Sequence, residues 1–109
     1  MNQQCKIFLV DNEGRKFFGC GPAELLERVD QCGSLRQAAK QMYLSYSKAI
    51  KMIRAADIGF GFPLLETKAG GTGGGGSSLT MEGRRAVARF RAYEAMVQAG
   101  AGQSFQEYF

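Results

Sequence analysis

Residues 33–57 read Gly33-Ser34-Leu35-Arg36-Gln37-Ala38-Ala39-Lys40-Gln41-Met42-Tyr43-Leu44-Ser45-Tyr46-Ser47-Lys48-Ala49-Ile50-Lys51-Met52-Ile53-Arg54-Ala55-Ala56-Asp57. Ser34 followed by Gln37 is a capping-box pair, in which each side chain satisfies an end N–H of the backbone, so a helix opens there. Leu35, Ala38, Ala39 and Met42 supply its apolar stripe, and the Ala pair is small enough for a tight helix crossing. Tyr43-Leu44 makes a turn, and Ser45 caps a further helix to about Ala56. Tyr46, Ala49, Ile50 and Ile53 fall at i, i+3, i+4 and i+7 and are expected to face the core. Two short helices meeting at a turn make a helix-turn-helix.

Charge gives this stretch a second meaning. Every charge between Ser34 and Ala56 is positive: Arg36, Lys40, Lys48, Lys51 and Arg54. The chain carries a net +4 over 109 residues, and the other segments nearly cancel, so this one more than accounts for the excess. A surface that meets a polyanion is expected to look like this, although basic residues on short helices also serve as an ordinary solvated face.

Upstream, Ile7-Phe8-Leu9-Val10, the turn-rich Asp11-Asn12-Glu13-Gly14, and Arg15-Lys16-Phe17-Phe18-Gly19 read as a β-hairpin. An isolated hairpin is barely stable in water, so one face should pack on helices or on another subunit. Gly21-Pro22 starts a helix through Cys32, with Leu25, Leu26, Val29 and Cys32 on one face, Cys32 as a small core residue.

Downstream, Asp57-Ile58-Gly59-Phe60-Gly61-Phe62-Pro63 is too rich in Gly and aromatic residues to continue the helix. Short strands at Leu64–Thr67 and Ser77–Leu79, joined by the glycine-rich loop Lys68–Gly76, make a wing. Gly71-Thr72-Gly73-Gly74-Gly75-Gly76 formally fits a dinucleotide fingerprint. No βαβ unit follows it, no acidic residue sits about twenty positions on, and no Gly-Lys-Ser/Thr occurs, so neither nucleotide motif applies. The run reads either as a bare hairpin tip or as backbone N–H groups for phosphates, with Lys68 supplying charge. Thr80 caps a last helix to about Ala99, with Glu82 in its first turn. Val87, Phe90, Tyr93 or Glu94, and Val97 form its stripe, Gly100-Ala101-Gly102 is expected to end it, and an aromatic tail follows. A helix longer than the core needs suggests pairing with its copy.

The expected fold is thus α+β: a winged helix-turn-helix with an N-terminal β-hairpin and a long C-terminal dimerisation helix. Its single domain, 1–109, divides into hairpin 6–19, helix 22–32, helix-turn-helix 34–56, wing 64–79 and dimerisation helix 80–99. In such a fold the second helix of the pair lies in the major groove with its N-terminal side chains against base edges, while the first crosses the phosphate backbone. The residues expected to meet DNA are Ser45, Tyr46, Ser47, Lys48 and Lys51, with Arg36, Lys68 and Thr72 toward phosphates. Tyr46 belongs to the apolar stripe as well, so a buried ring competes with a phosphate contact there.

Gly33–Lys40, Leu44–Ala49, the glycine-rich wing and Leu79-Thr80-Met81-Glu82-Gly83-Arg84-Arg85 together resemble the N-terminal winged-helix domain of the ModE family, molybdate-responsive transcription regulators. The helix-turn-helix part is also similar to the wider LysR group. The resemblance covers residues 6 to 99. It implies a dimeric, cytoplasmic, prokaryotic DNA-binding protein whose recognition helix begins near Ser45. Members of that family bind molybdate in domains beyond the long helix, so molybdate sensing is not expected from these 109 residues. A stand-alone DNA-binding dimer with an unknown effector is the expectation.

Other function classes fit less well. A winged helix can serve as a protein–protein interaction module, with hairpin and aromatic tail as working surfaces, but an acidic or apolar outer face would suit that better than five cations. An enzyme has few candidate groups: no histidine, no paired carboxylates in a motif, no nucleophile elbow. No metal site or cofactor is expected from three cysteines, Cys5, Cys20 and Cys32, without a C-x-x-C pair. They could still pair across a dimer as a redox switch. No signal peptide or membrane-length apolar run occurs, which together with free thiols suggests the cytoplasm and no membrane partner.

Overall fold

The computed structural model describes residues 1–71 and 74–109. β1 (Phe8–Val10) and β2 (Lys16–Gly19) pair antiparallel, with Leu9 opposite Phe18. Asp11 closes their turn: its carboxylate accepts the Glu13 and Arg15 N–H groups, each at 2.9 Å, and the Arg15 Nε at 3.0 Å. These donors, the Arg15 backbone N–H foremost, hold its carboxyl below the usual carboxylate range.

The hairpin packs on helices of its own chain. Phe18 is fully buried, its ring edge-to-face with Phe60 at 5.0 Å and with Phe90 at 5.2 Å. Phe17 meets Phe60 the same way, and Phe62 stacks on Phe60. Aromatic contacts thus clamp the hairpin to two distant helices.

α1 (Cys20–Cys32) begins two residues before the expected Pro22. Pro22 is still in the first turn, where no intrahelical partner waits for its missing N–H. Ala23, Leu25, Leu26 and Val29 are buried, but Cys32 is exposed and its Sγ donates to the Ser34 carbonyl at 3.3 Å. The helical stripe stops at Val29; Cys32, on the last turn, extends past the packed layer.

α2 (Leu35–Gln41) buries Leu35, Ala38 and Ala39, as the small-residue crossing required. α3 (Tyr46–Phe60) runs a full turn beyond Ala56 and ends at Gly61. Glycine within a helix costs only about 1 kcal/mol, and Gly59 leaves the space into which the Phe17 ring fits; a Cβ there would collide with that ring. Burial of the aromatic cluster outweighs the propensity cost. Asp57 then ties the exit, its carboxylate accepting the Leu64 N–H at 2.9 Å.

β3 (Leu65–Gly71) and β4 (Gly74–Leu79) are longer than the expected wing strands, because pairing needs only backbone groups, and Lys68 opposes Gly76. The base of this wing is fastened to the turn between α1 and α2: the Ser77 N–H donates to the Gly33 carbonyl at 2.9 Å.

α4 (Met81–Tyr108) opens as expected, Thr80 Oγ1 accepting the Gly83 N–H at 2.9 Å and donating to the Pro63 carbonyl at 2.8 Å. Gly83 is buried flat against the Leu64 backbone, with no room for a Cβ. Gly83→Ala must push two backbones apart and is expected to destabilise the chain by roughly 2 kcal/mol, as overpacking does; thermal melting checks it, and an unchanged melting temperature would refute the close approach.

The helix does not stop at Ala99. It continues through Gly100 and Gly102 for 28 residues in all. Two glycines cost about 2 kcal/mol, and flanking Ala99 and Ala101, the Phe105–Phe109 ring stack at 5.3 Å and a 2.8 Å hydrogen bond from Gln98 Nε2 to the Cys5 carbonyl work against it. At 1.5 Å per residue the helix is about 42 Å long. The chain therefore extends 59 Å along its longest axis, with a radius of gyration of 16.0 Å against about 13 Å for a compact chain of this length.

Two ion pairs lock α4 onto α1: Arg84 with Asp30 at 2.6 Å, and Arg91 with Glu27 at 2.7 Å. Glu27, then Cys20 and Glu94, hold the Arg91 guanidinium still further above its ordinary value.

Candidate nucleic-acid interface

The start of α3 is fixed by its cap. Ser45 Oγ accepts the Lys48 N–H at 3.1 Å, so the Ser45 hydroxyl is engaged with the backbone while the first turn stays presented to solvent. Ala49, Ile53 and Ala56 are buried, which turns Ser47, Lys48, Lys51 and Arg54 outward. α2 packs on both α1 and α3 with Leu35, Ala38 and Ala39 buried in the shared core, its Ser34 cap accepting the Gln37 N–H at 3.1 Å.

Tyr46 departs from the expected core stripe. It is 38% exposed, and the Arg36 guanidinium lies over its ring at 4.0 Å from the centroid. Position i of the stripe falls at the N-terminal end of α3, where α2 sets a charged side chain against it and not an apolar one. The ring instead becomes a platform for a cation, an arrangement worth about 0.5–1 kcal/mol at an exposed site. It brings Arg36, from the start of α2, beside the start of α3. Ile50, also expected inside, is half-buried.

Arg36, Lys40, Lys48, Lys51 and Arg54 are all exposed. Among the described residues none of the five shares a salt bridge with a carboxylate, whereas Arg15, Arg28, Arg84 and Arg91 all do. The helix-turn-helix thus carries an uncompensated positive face. Lys68 is exposed on β3, on the wing rather than on this face. Thr72 lies outside the described residues.

The turn itself holds a feature the sequence reading passed over. Tyr43 has φ +57°, the left-handed region, and is 99% exposed. Its signal was the C′ position after a helix, just before the Ser45 cap, where glycine is the usual residue. Among the described residues no helix is long and apolar enough to cross a membrane, and no cluster of three or more His, Cys, Asp or Glu groups could hold a metal ion.

Residues 23–84, more than half of the chain, match the sequence profile of the bacterial regulatory helix-turn-helix proteins of the lysR family. The chain belongs to that family. The matched span runs from α1 to the start of α4 and so takes in the caps, the Ala pair and the basic face of this lysR-family unit. It is also 43% identical over 75 residues to the molybdenum transport protein ModE of Azotobacter vinelandii, covering 69% of this chain and 28% of that protein. The transcriptional regulator ModE of Haemophilus influenzae is 43% identical over 61 residues, 56% of this chain and 24% of that one. The molybdenum-pterin-binding protein MopB of Rhodobacter capsulatus is 33% identical over 79 residues, 72% and 29% of the two chains. The lysR-family chain therefore spans less than a third of each of these curated relatives.

Proposed function

We propose that this chain is a sequence-specific DNA-binding transcription regulator that works as a homodimer on a pseudo-palindromic site. The observation that carries the reading is the exposed first half of α3: its cap is fixed, Ala49 anchors it in the core, and among the described residues its cations share no salt bridge with a carboxylate. Ser47, Lys48 and Lys51 meet base edges or phosphates in the major groove, and Tyr46 holds Arg36 toward the backbone. The N–H groups at the start of each helix add partial positive charge. Lys68, on the wing fastened to the α1–α2 turn, reaches neighbouring phosphates, and Thr72 is assigned a phosphate contact from its sequence position alone.

The homodimer rests on α4, which beyond its last buried residue, Phe90, carries exposed Tyr93, Met96 and Tyr108. A two-fold axis would place the two recognition helices one helical turn, or a small multiple, apart on DNA. The molybdenum in the relatives' names is no part of this reading, which rests on the helix-turn-helix span 23–84.

Selection from random duplex DNA with the purified protein is the test. It should return two inverted half-sites at fixed spacing. Recovery of unrelated sequences, bound no better than bulk DNA, would refute sequence-specific recognition. Phe8 and Val10, each 48% exposed on β1, favour a second reading as a protein-interaction surface. Retention on heparin that persists unchanged through high salt would support it over electrostatic DNA binding.

A further inference from the structure

Tyr43 stands where a glycine is expected. The Leu44 N–H donates to the Ala39 carbonyl at 2.9 Å and the Tyr43 N–H to the Lys40 carbonyl at 3.1 Å. The pair of bonds is a Schellman motif, which requires the left-handed conformation at the residue between, here Tyr43 at φ +57°. Glycine adopts that conformation freely, and asparagine tolerates it; a tyrosine is strained. Strain of this kind persists where something compensates for it. The two backbone bonds offset part of it whatever the residue, but the tyrosine side chain adds nothing among the described residues, since it is 99% exposed and packs on no part of the core.

Its position supplies the missing partner. Tyr43 follows Lys40, an exposed cation in the last turn of α2, and precedes the Ser45 cap by two residues, at most about 7 Å of chain. The side chain stands at the edge of the uncompensated positive face, next to the helix start that meets DNA. A tyrosine offers an apolar ring for a deoxyribose and a hydroxyl that donates to a phosphate oxygen, and such contacts set register on a duplex without reading its sequence.

We propose that Tyr43 is a backbone-positioning DNA contact, its ring and hydroxyl meeting a sugar–phosphate unit beside the groove that α3 enters. The proposal rests on the DNA-binding reading above. It assigns opposite signs to stability and binding at one residue: removing the side chain relieves the turn and loses the contact.

The test uses the full chain, Tyr43→Gly and Tyr43→Phe, with a mixed-sequence duplex of about 30 base pairs, three helical turns. Tyr43→Gly is expected to melt about 4 °C higher than the parent and to bind about tenfold more weakly, with an unchanged salt slope because no cation is lost. Tyr43→Phe is expected to melt like the parent and to lose part of the affinity, the share of the hydroxyl. Unchanged affinity in Tyr43→Gly overturns the proposal. So does a weaker-binding Tyr43→Gly that melts lower, since the loss then comes from a damaged turn. A parent protein that does not bind the duplex at all refutes DNA binding itself, a different result from either.

Discussion

Exchanging Lys48 and Lys51 together for alanine is expected to weaken binding to duplex DNA roughly fiftyfold near 0.1 M salt and to lower the slope of log affinity against log salt by about 2. Each phosphate neutralised by a lysine releases close to one condensed counterion, and each such release contributes about 0.9 to the slope. Both side chains are exposed on α3 and among the described residues neither is engaged by a carboxylate, so their full charge is available to the polyanion. Fold stability should hardly move, by less than about 0.5 kcal/mol, because surface substitutions of this kind touch no packing. Titrations by fluorescence anisotropy at four or five salt concentrations separate the outcomes. An affinity loss with an unchanged slope would mean that the two lysines act through base edges or through structure; no loss at all would place DNA on another face. The paired arginine substitutions should keep the slope while altering sequence preference, because guanidinium and ammonium groups present different donor geometry to bases.

The helix-turn-helix was legible because its signals are local. Ser34, Ser45 and Thr80 each cap the helix they announce, and Ala38, Ala39, Ala49 and Ile53 are buried where periodicity put them. What stayed hidden depended on partners distant in sequence. Gly59 reads as a helix breaker until the Phe17 ring, some forty positions away, is seen to fill the space beside it. Gly100 and Gly102 read as a stop until the helix is seen to be braced by the N-terminal segment at Cys5. Tyr46 has the right spacing for the core and the wrong surroundings, since spacing says which residues share a face but not which side chain a neighbouring helix sets against them. Of the residues expected to meet DNA, Arg36, Ser45, Tyr46, Ser47, Lys48 and Lys51 come together around the start of α3. Lys68 stands apart on the wing, where only DNA itself would join the two surfaces.

Aspartates at Met96 and Val97 are expected to turn a dimer of this chain into monomers. Met96 is 66% exposed and Val97 half-buried, beyond the last buried core position of α4 at Phe90, so the substitutions leave the packed unit intact. They fall among the exposed apolar side chains of α4, between Tyr93 and Tyr108. A groove of about 340 Å³, its floor formed by Phe60, Phe62 and Phe90 and its rim by Glu82, Arg85 and Arg89, lies at one end beside Tyr93, and exposed Tyr108 lies at the other. A second copy laid along that length would take the exposed Tyr93, Met96 and Tyr108 out of water, and four carboxylates in the paired interface would be desolvated and would repel one another. Sedimentation equilibrium should give twice the chain mass for the parent and the single mass for the variant. On a duplex with both half-sites the variant should bind a hundredfold or more weaker, roughly the gain that linking two binding units provides, while the two proteins should bind a single half-site alike. A parent that sediments as a monomer defeats the dimer. A variant that remains dimeric moves the interface off α4, and the exposed edge of β1 at Phe8 and Val10 becomes the next surface to change.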